Sequence, residues 1–75
     1  MPHSAFTDSY RRFQRILVTA RKSKGMSQDA LAKLLKKPQS FVSKYERGER
    51  RIDVVEFLDV AKALELDPVE VISQL

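Results

Sequence analysis

Between Ser27 and Gly48 the chain reads SQDALAKLLKKPQSFVSKYERG, two helix-length segments separated by Lys36-Lys37-Pro38. The residue before proline is pushed out of the α region, so the first segment has to stop there. Ser27 is a good amino-terminal cap for that segment, and Leu31, Leu34 and Leu35 give it an apolar face with Ala32 as a small contact point. Pro38 then opens the second segment, where a missing N–H costs nothing, and Gly48 closes it. Val42 and Tyr45, three apart, are its inward residues. Two short helices joined by a tight turn, the second with polar side chains outward, is a helix–turn–helix layout.

The flanking sequence continues the same punctuation. Thr7 or Asp8 caps a helix that runs to about Lys24, with Tyr10, Phe13, Leu17 and Ala20 stepping by three and four and Ile16 alongside. Gly25 ends it. Asp53 with Glu56 forms a capping-box pattern before a helix that buries Phe57, Leu58, Ala61 and Leu64. Asp67-Pro68 starts a short last helix bearing Val69, Val71, Ile72 and Leu75. Nothing alternates at period two over a useful length. The expected fold is all-α, a compact five-helix bundle over residues 8–75, behind an aperiodic tail at 1–7, with the motif at about 27–48.

Seventy-five residues suit one domain with a small core. With no cysteine, neither a disulfide nor a thiolate metal site can staple it. The longest unbroken apolar run, Ile16-Leu17-Val18, is far too short to span a membrane or form a signal core, so the expected setting is cytoplasmic, in contact with the nucleoid. The only histidine, His3, sits in the tail, and the carboxylates of residues 53–75 are spaced as caps and solvated faces. No catalytic constellation emerges, no metal site is expected, and no cofactor is called for.

Charge is segregated along the chain. Residues 1–52 carry thirteen Lys and Arg against four Asp and Glu, whereas residues 53–75 carry one against six. A basic front and an acidic back suit a protein that meets a polyanion on one side.

Arg21, Gly25-Met26-Ser27-Gln28, Leu31-Ala32, Gln39-Ser40, Val42-Ser43, Tyr45-Glu46-Arg47-Gly48 and Ala61-Lys62-Ala63-Leu64 form an ordered set at fixed spacings. In these the chain resembles the DNA-binding domain of phage Cro and repressor proteins, the XRE family, over roughly residues 12 to 72. The resemblance implies a lambda repressor-like domain that binds double-stranded DNA and regulates transcription. Gln39, Ser40, Ser43 and Lys44 match its base-reading positions. Glutamine can bond adenine through two atoms, while Lys44 reaches either a guanine or a phosphate. Gln28 matches a residue that contacts a phosphate and braces the second helix of the motif. Arg47, Arg50 and Arg51 fall in the loop that tracks the DNA backbone in the family, and Glu49 among them is expected to point away; Lys36 and Lys37, in the turn, are expected to reach the backbone at its edge. Arg21 and Glu46 match an ion pair that sets the angle of the reading helix. Phe41 is expected to be partly exposed, either packing across the turn or touching a thymine methyl.

The chain departs from the family pattern at Lys36, where the turn usually has glycine, and at Pro38, where the cap is usually Ser or Thr. Positive φ at Lys36 would cost of the order of 1 kcal/mol. One motif reads few base pairs, so a homodimer on a palindromic operator is expected, with Val69, Ile72 and Leu75 as its contact or, alternatively, as the end of the internal core. The rival function is an antitoxin or other protein-interaction module, with a protein partner on the acidic surface of Glu56, Asp59, Glu65 and Glu70.

Overall fold

Each helix begins where a side chain or a proline prepares the backbone for it. In the computed structural model, which describes residues 7–75, these starts produce α1 (Asp8–Ser23), α2 (Gln28–Leu35), α3 (Gln39–Arg47), α4 (Val54–Ala63) and α5 (Pro68–Ser73). Thr7 accepts from the Tyr10 N–H at 3.2 Å, and Ser27 from the Ala30 N–H at 3.0 Å. The capping box of α4 is complete: Asp53 accepts from the Glu56 N–H at 2.7 Å and Glu56 accepts from the Asp53 N–H at 3.0 Å. Asp67 accepts from the Val69 N–H at 3.0 Å, with Pro68 as the first helical residue. Pro38 sits one place earlier than expected. It is the cap of α3, extended at φ −67° and ψ 154°, and it offers no side-chain bond. The expected tail at 1–7 lies outside the described residues apart from Thr7.

Four helices end alike, on a residue in the left-handed region. Gly25, Lys36, Gly48 and Glu65 have φ of 66°, 58°, 80° and 59°. In each case the N–H of the next residue reaches back five positions, as from Lys37 to the Ala32 carbonyl at 3.0 Å and from Glu49 to the Lys44 carbonyl at 2.9 Å. The turn between α2 and α3 therefore does need positive φ, and Lys36 carries it without glycine's freedom.

The core joins Leu17 of α1, Leu31 and Ala32 of α2, Phe41, Val42 and Tyr45 of α3, Phe57, Val60 and Ala61 of α4, Leu64 after it, and Val71 of α5. Several expectations change here. Leu34 and Leu58 are exposed, because the buried stripe of α4 runs through 57, 60, 61 and 64 and so takes Val60 instead of Leu58. Phe41 is only 7% exposed, and its ring packs edge-on to Tyr45 at 5.5 Å. The packing reading of Phe41 therefore holds, and the ring is too deep to offer a thymine a free face. Val71 completes the core from α5, which leaves Val69, Ile72 and Leu75 at 74%, 58% and 40% exposed.

Candidate nucleic-acid interface

The second helix of the motif is held from three sides. Val42 and Tyr45 anchor its inner face and α2 supports it across the turn. From α1, Gln14 donates through Nε2 to the Tyr45 carbonyl at 3.3 Å and the Glu46 carbonyl at 3.0 Å, satisfying carbonyls at the end of α3. This fixes the helix with Gln39, Ser40, Lys44 and Arg47 exposed and Ser43 half-exposed. Ser43 donates its hydroxyl proton back to the Ser40 carbonyl at 3.4 Å. The four proposed base-reading residues thus share one outward surface at the start and middle of α3.

Behind that surface lies a buried ion pair. Arg21 meets Glu46 as a fork, Nε to Oε2 at 2.7 Å and Nη2 to Oε1 at 3.0 Å, with the side chains 10% and 7% exposed. Its Nη1 donates to the Met26 carbonyl at 2.7 Å, tying the α1–α2 loop to the same point. The hydrogen bond that Arg21 donates to Glu46 holds its guanidinium above its ordinary pKa, against the opposing effect of burial.

The pair is connected to the surface. Gln28 donates Nε2 to Glu46 Oε1 at 2.8 Å, and Gln39 donates Nε2 to Gln28 Oε1 at 3.5 Å. A carboxylate can only accept, so Gln28 must turn its NH₂ inward and its carbonyl outward. Gln39 must then present an N–H to that carbonyl. Its own oxygen and its second N–H remain for a ligand.

The cations around α3 are organised by carboxylates and rings. Arg47 binds Glu49 at 2.9 and 3.1 Å, so Glu49 is engaged as a partner within the cation cluster. That bond holds the Glu49 carboxyl below its usual range. Arg50 grips Glu56 at 2.9 and 2.8 Å and donates to the Arg51 carbonyl at 3.0 Å. Arg50, followed by the Asp53 N–H, pushes the Glu56 carboxyl down to about 2. Arg50 also stands 4.8 Å from the Phe41 ring centre, Lys37 stands 5.1 Å from the same centre, and Arg51 lies 4.9 Å from that of Tyr10. An arginine has five N–H donors, so a carboxylate fork leaves others for phosphate.

Glu56 and Glu65, half of the expected acidic partner surface, are used inside the fold. Glu56 serves Arg50 and the cap of α4, and Glu65 accepts from Lys24 at 2.6 Å. Among the described residues no cluster of His, Cys, Asp and Glu could hold a metal ion, and no helix is long and apolar enough to cross a membrane. Gln14 escaped the sequence reading, although the signal was there. Tyr10, Gln14, Leu17 and Arg21 fall on one helical stripe, so polar residues at 14 and 21 point toward the protein and need partners.

Two helices at a tight turn, the second presented outward between basic flanks, define a helix-turn-helix protein. The family model for the helix-turn-helix matches residues 17–71. An XRE-family like protein from Pseudomonas syringae pv. tomato str. DC3000 is 42% identical, with a TM-score of 0.84 over 88% of this chain and 80% of that one. The restriction-modification controller protein C.AhdI from Aeromonas hydrophila is 38% identical, with a TM-score of 0.73 over 80% of this chain and 91% of that one. The controller protein C.Esp1396I, solved as a tetramer with its natural 35 base-pair operator, shares the fold at 22% identity, with a TM-score of 0.80 over 91% and 90% of the two chains. No curated protein matches the sequence. The chain belongs to the XRE family of helix-turn-helix proteins, which are DNA-binding transcription regulators and not a class of enzymes.

Proposed function

We propose that the protein is a homodimeric regulator that reads a palindromic operator, with α3 of each protomer in the major groove. The observation that carries this is the tethered Gln39. It stands exposed at the start of α3, with its amide nitrogen 3.5 Å from the Gln28 oxygen at the outer end of a chain that runs through Gln28 and Glu46 to Arg21. Its oxygen can accept from adenine N6 while its free N–H donates to N7, the two-bond pairing of an amide with adenine. Ser40, Ser43 and Lys44 extend the reading surface, and Gln28, Lys37, Arg47, Arg50 and Arg51 anchor it to phosphates. Val69, Ile72 and Leu75 meet the same residues of a second copy, because a two-fold interface uses one patch twice. The 38% identity with a restriction-modification controller protein supports a role in gene control.

Selection of bound sequences from random duplex DNA, with light scattering of the free protein, tests this. The expected outcome is a dimer and two inverted half-sites about one helical turn apart. Affinity for the selected site should fall by about 10³–10⁵ between roughly 50 and 200 mM salt if the dimer neutralises about 6–10 phosphates. A monomer with no enriched motif, or a flat salt response, would overturn the reading.

A further inference from the structure

Phe41 does more than fill the core. It is the one aromatic ring of α3 with two cations on it, Lys37 Nζ at 5.1 Å and the Arg50 guanidinium carbon at 4.8 Å from the ring centre. Lys37 lies in the turn before α3 and Arg50 in the loop after it, so the ring gathers charges from both ends of the helix. Sharing one ring centre puts the two charges within about 10 Å of each other. Bringing like charges together is unfavourable unless something compensates, and the negative face of a ring does so only in part.

The third member is Glu56, and its depth matters. The Arg50 side chain is 41% exposed and that of Glu56 only 16%, so solvent reaches the arginine more than the carboxylate that binds it. The carboxylate is also pinned by the Asp53 N–H, so it holds Arg50 in place. Nε–H and one Nη2–H of Arg50 are not engaged in its bonds to Glu56 and Arg51, and they remain for a ligand.

We propose that Lys37 and Arg50, aligned on the Phe41 ring, form a single composite site for the backbone phosphodiester of one DNA strand, and that Phe41 is its positioning residue. This rests on the DNA-binding reading above. The ring adds Lys37 to an Arg50 already held by Glu56, and places both relative to Gln39 through α3 itself, since Gln39 and Phe41 are two residues apart on the same helix. Anchoring and reading therefore share one rigid element, which sets the register of α3 on the duplex.

The test compares Phe41→Leu, which keeps an apolar side chain but removes the π face, with Phe41→Tyr, which restores it. Each variant is first checked for a wild-type melting curve. Binding to a labelled random-sequence duplex of about 30 base pairs is then measured across salt concentrations. Wild type and Phe41→Tyr should share one slope of log affinity against log salt, and Phe41→Leu should lose about one unit per protomer. Lys37→Gln should reduce the slope in wild type and change it little in Phe41→Leu. A wild-type slope in folded Phe41→Leu overturns the composite site while leaving DNA binding intact. A wild type that binds the duplex without salt dependence overturns the DNA-binding reading and this site with it. One measurement needs no variant: the Lys37 ε-methylene and Arg50 δ-methylene protons of the free protein should show upfield ring-current shifts and respond to the duplex together. Ordinary shifts at both, or responses at different DNA concentrations, overturn the proposal.

Discussion

The face that carries α3 and the face that carries α5 are both exposed, yet they are prepared for opposite uses. On the α3 face the outward side chains are polar, and Gln39, Gln28, Arg47 and Arg50 each have hydrogen bonds to hold them. On the α5 face Val69, Ile72 and Leu75 stand outward without a polar group among them, while Val71 alone of that short helix is buried. The first arrangement reduces the entropy lost when a groove is read. The second leaves apolar area in water until another surface covers it. The difference teaches that the proposed reading face is fixed from within by a buried ion pair, whereas the proposed dimer face offers apolar area with no polar bond to hold its side chains.

The largest effect should come from breaking the buried support of the α3 face. Glu46→Ala removes the acceptor of Arg21 and Gln28 and leaves a guanidinium 10% exposed without its counter-charge. Loss of one side of a buried pair costs about 3–5 kcal/mol. Denaturant titration checks the size, and a loss below about 1 kcal/mol would place the pair with ordinary surface bridges. Breaking the α5 face should leave the fold and remove the partner. Ile72→Asp puts a charge on an exposed residue, so the melting of the monomer should change little. Affinity for a two-half-site duplex should fall by about 10²–10⁴ as linked binding is lost. A variant that remains dimeric in light scattering would remove Ile72 from the contact.

How much of each face could be read beforehand follows from the range of the signals. Caps and breakers act over a few residues, so the five helices and a polar outer face on α3 are visible in spacing, whereas Gln39, Ser40, Ser43 and Lys44 as a set come from the family resemblance. Arg21 with Glu46 needed the family resemblance, because nothing local pairs residues that are twenty-five apart. The depth of Phe41 was misjudged because α3 buries three consecutive-turn residues, not two, where the loop after it folds back over the ring. Leu58 was misplaced for a related reason: both it and Val60 fit an apolar stripe, and only the packing against α5 and α2 decides between them. Glu56 is legible as the capping partner of Asp53, but its pairing with Arg50 and that of Glu49 with Arg47 are not, since the path of a loop has no period.

Two smaller effects sharpen the contrast. Gln39→Ala should cost about 1–3 kcal/mol on a selected site and relax preference at one position of each half-site, without a matching loss of stability. An unchanged selected motif would assign reading to Ser40, Ser43 or Lys44 instead. Acid should act on the α3 face through Glu56. Its carboxyl is held at about 2 in the fold against an ordinary value of 4.5. Its contribution is therefore complete above about pH 4.5 and is lost as pH falls through about 2. With Arg50 partly in solvent, the contribution is of the order of 1 kcal/mol. Glu56→Gln should flatten that part of the stability profile, and a profile identical to wild type would assign the acid sensitivity to other carboxylates.

The smallest effect compares the two strained helix ends, one on each face. Lys36, before α3, and Glu65, before α5, hold φ of 58° and 59° where the chain elsewhere uses Gly25 and Gly48. The left-handed conformation costs an ordinary residue about 1–2 kcal/mol, and glycine avoids that penalty but has more freedom to lose from the unfolded chain, about 0.4–1 kcal/mol. The balance for Lys36→Gly runs from about zero to a gain of about 1.5 kcal/mol. It should raise the denaturant midpoint at constant slope, because the surface exposed on unfolding is unchanged. Glu65→Gly relieves the same strain but also removes the carboxylate that Lys24 reaches at 2.6 Å, so its gain should be the smaller of the two. Lys36→Val sets the opposite limit, since a β-branched residue tolerates positive φ least and should destabilise. If Lys36→Gly instead lowers the midpoint, the left-handed lysine is not a site of strain.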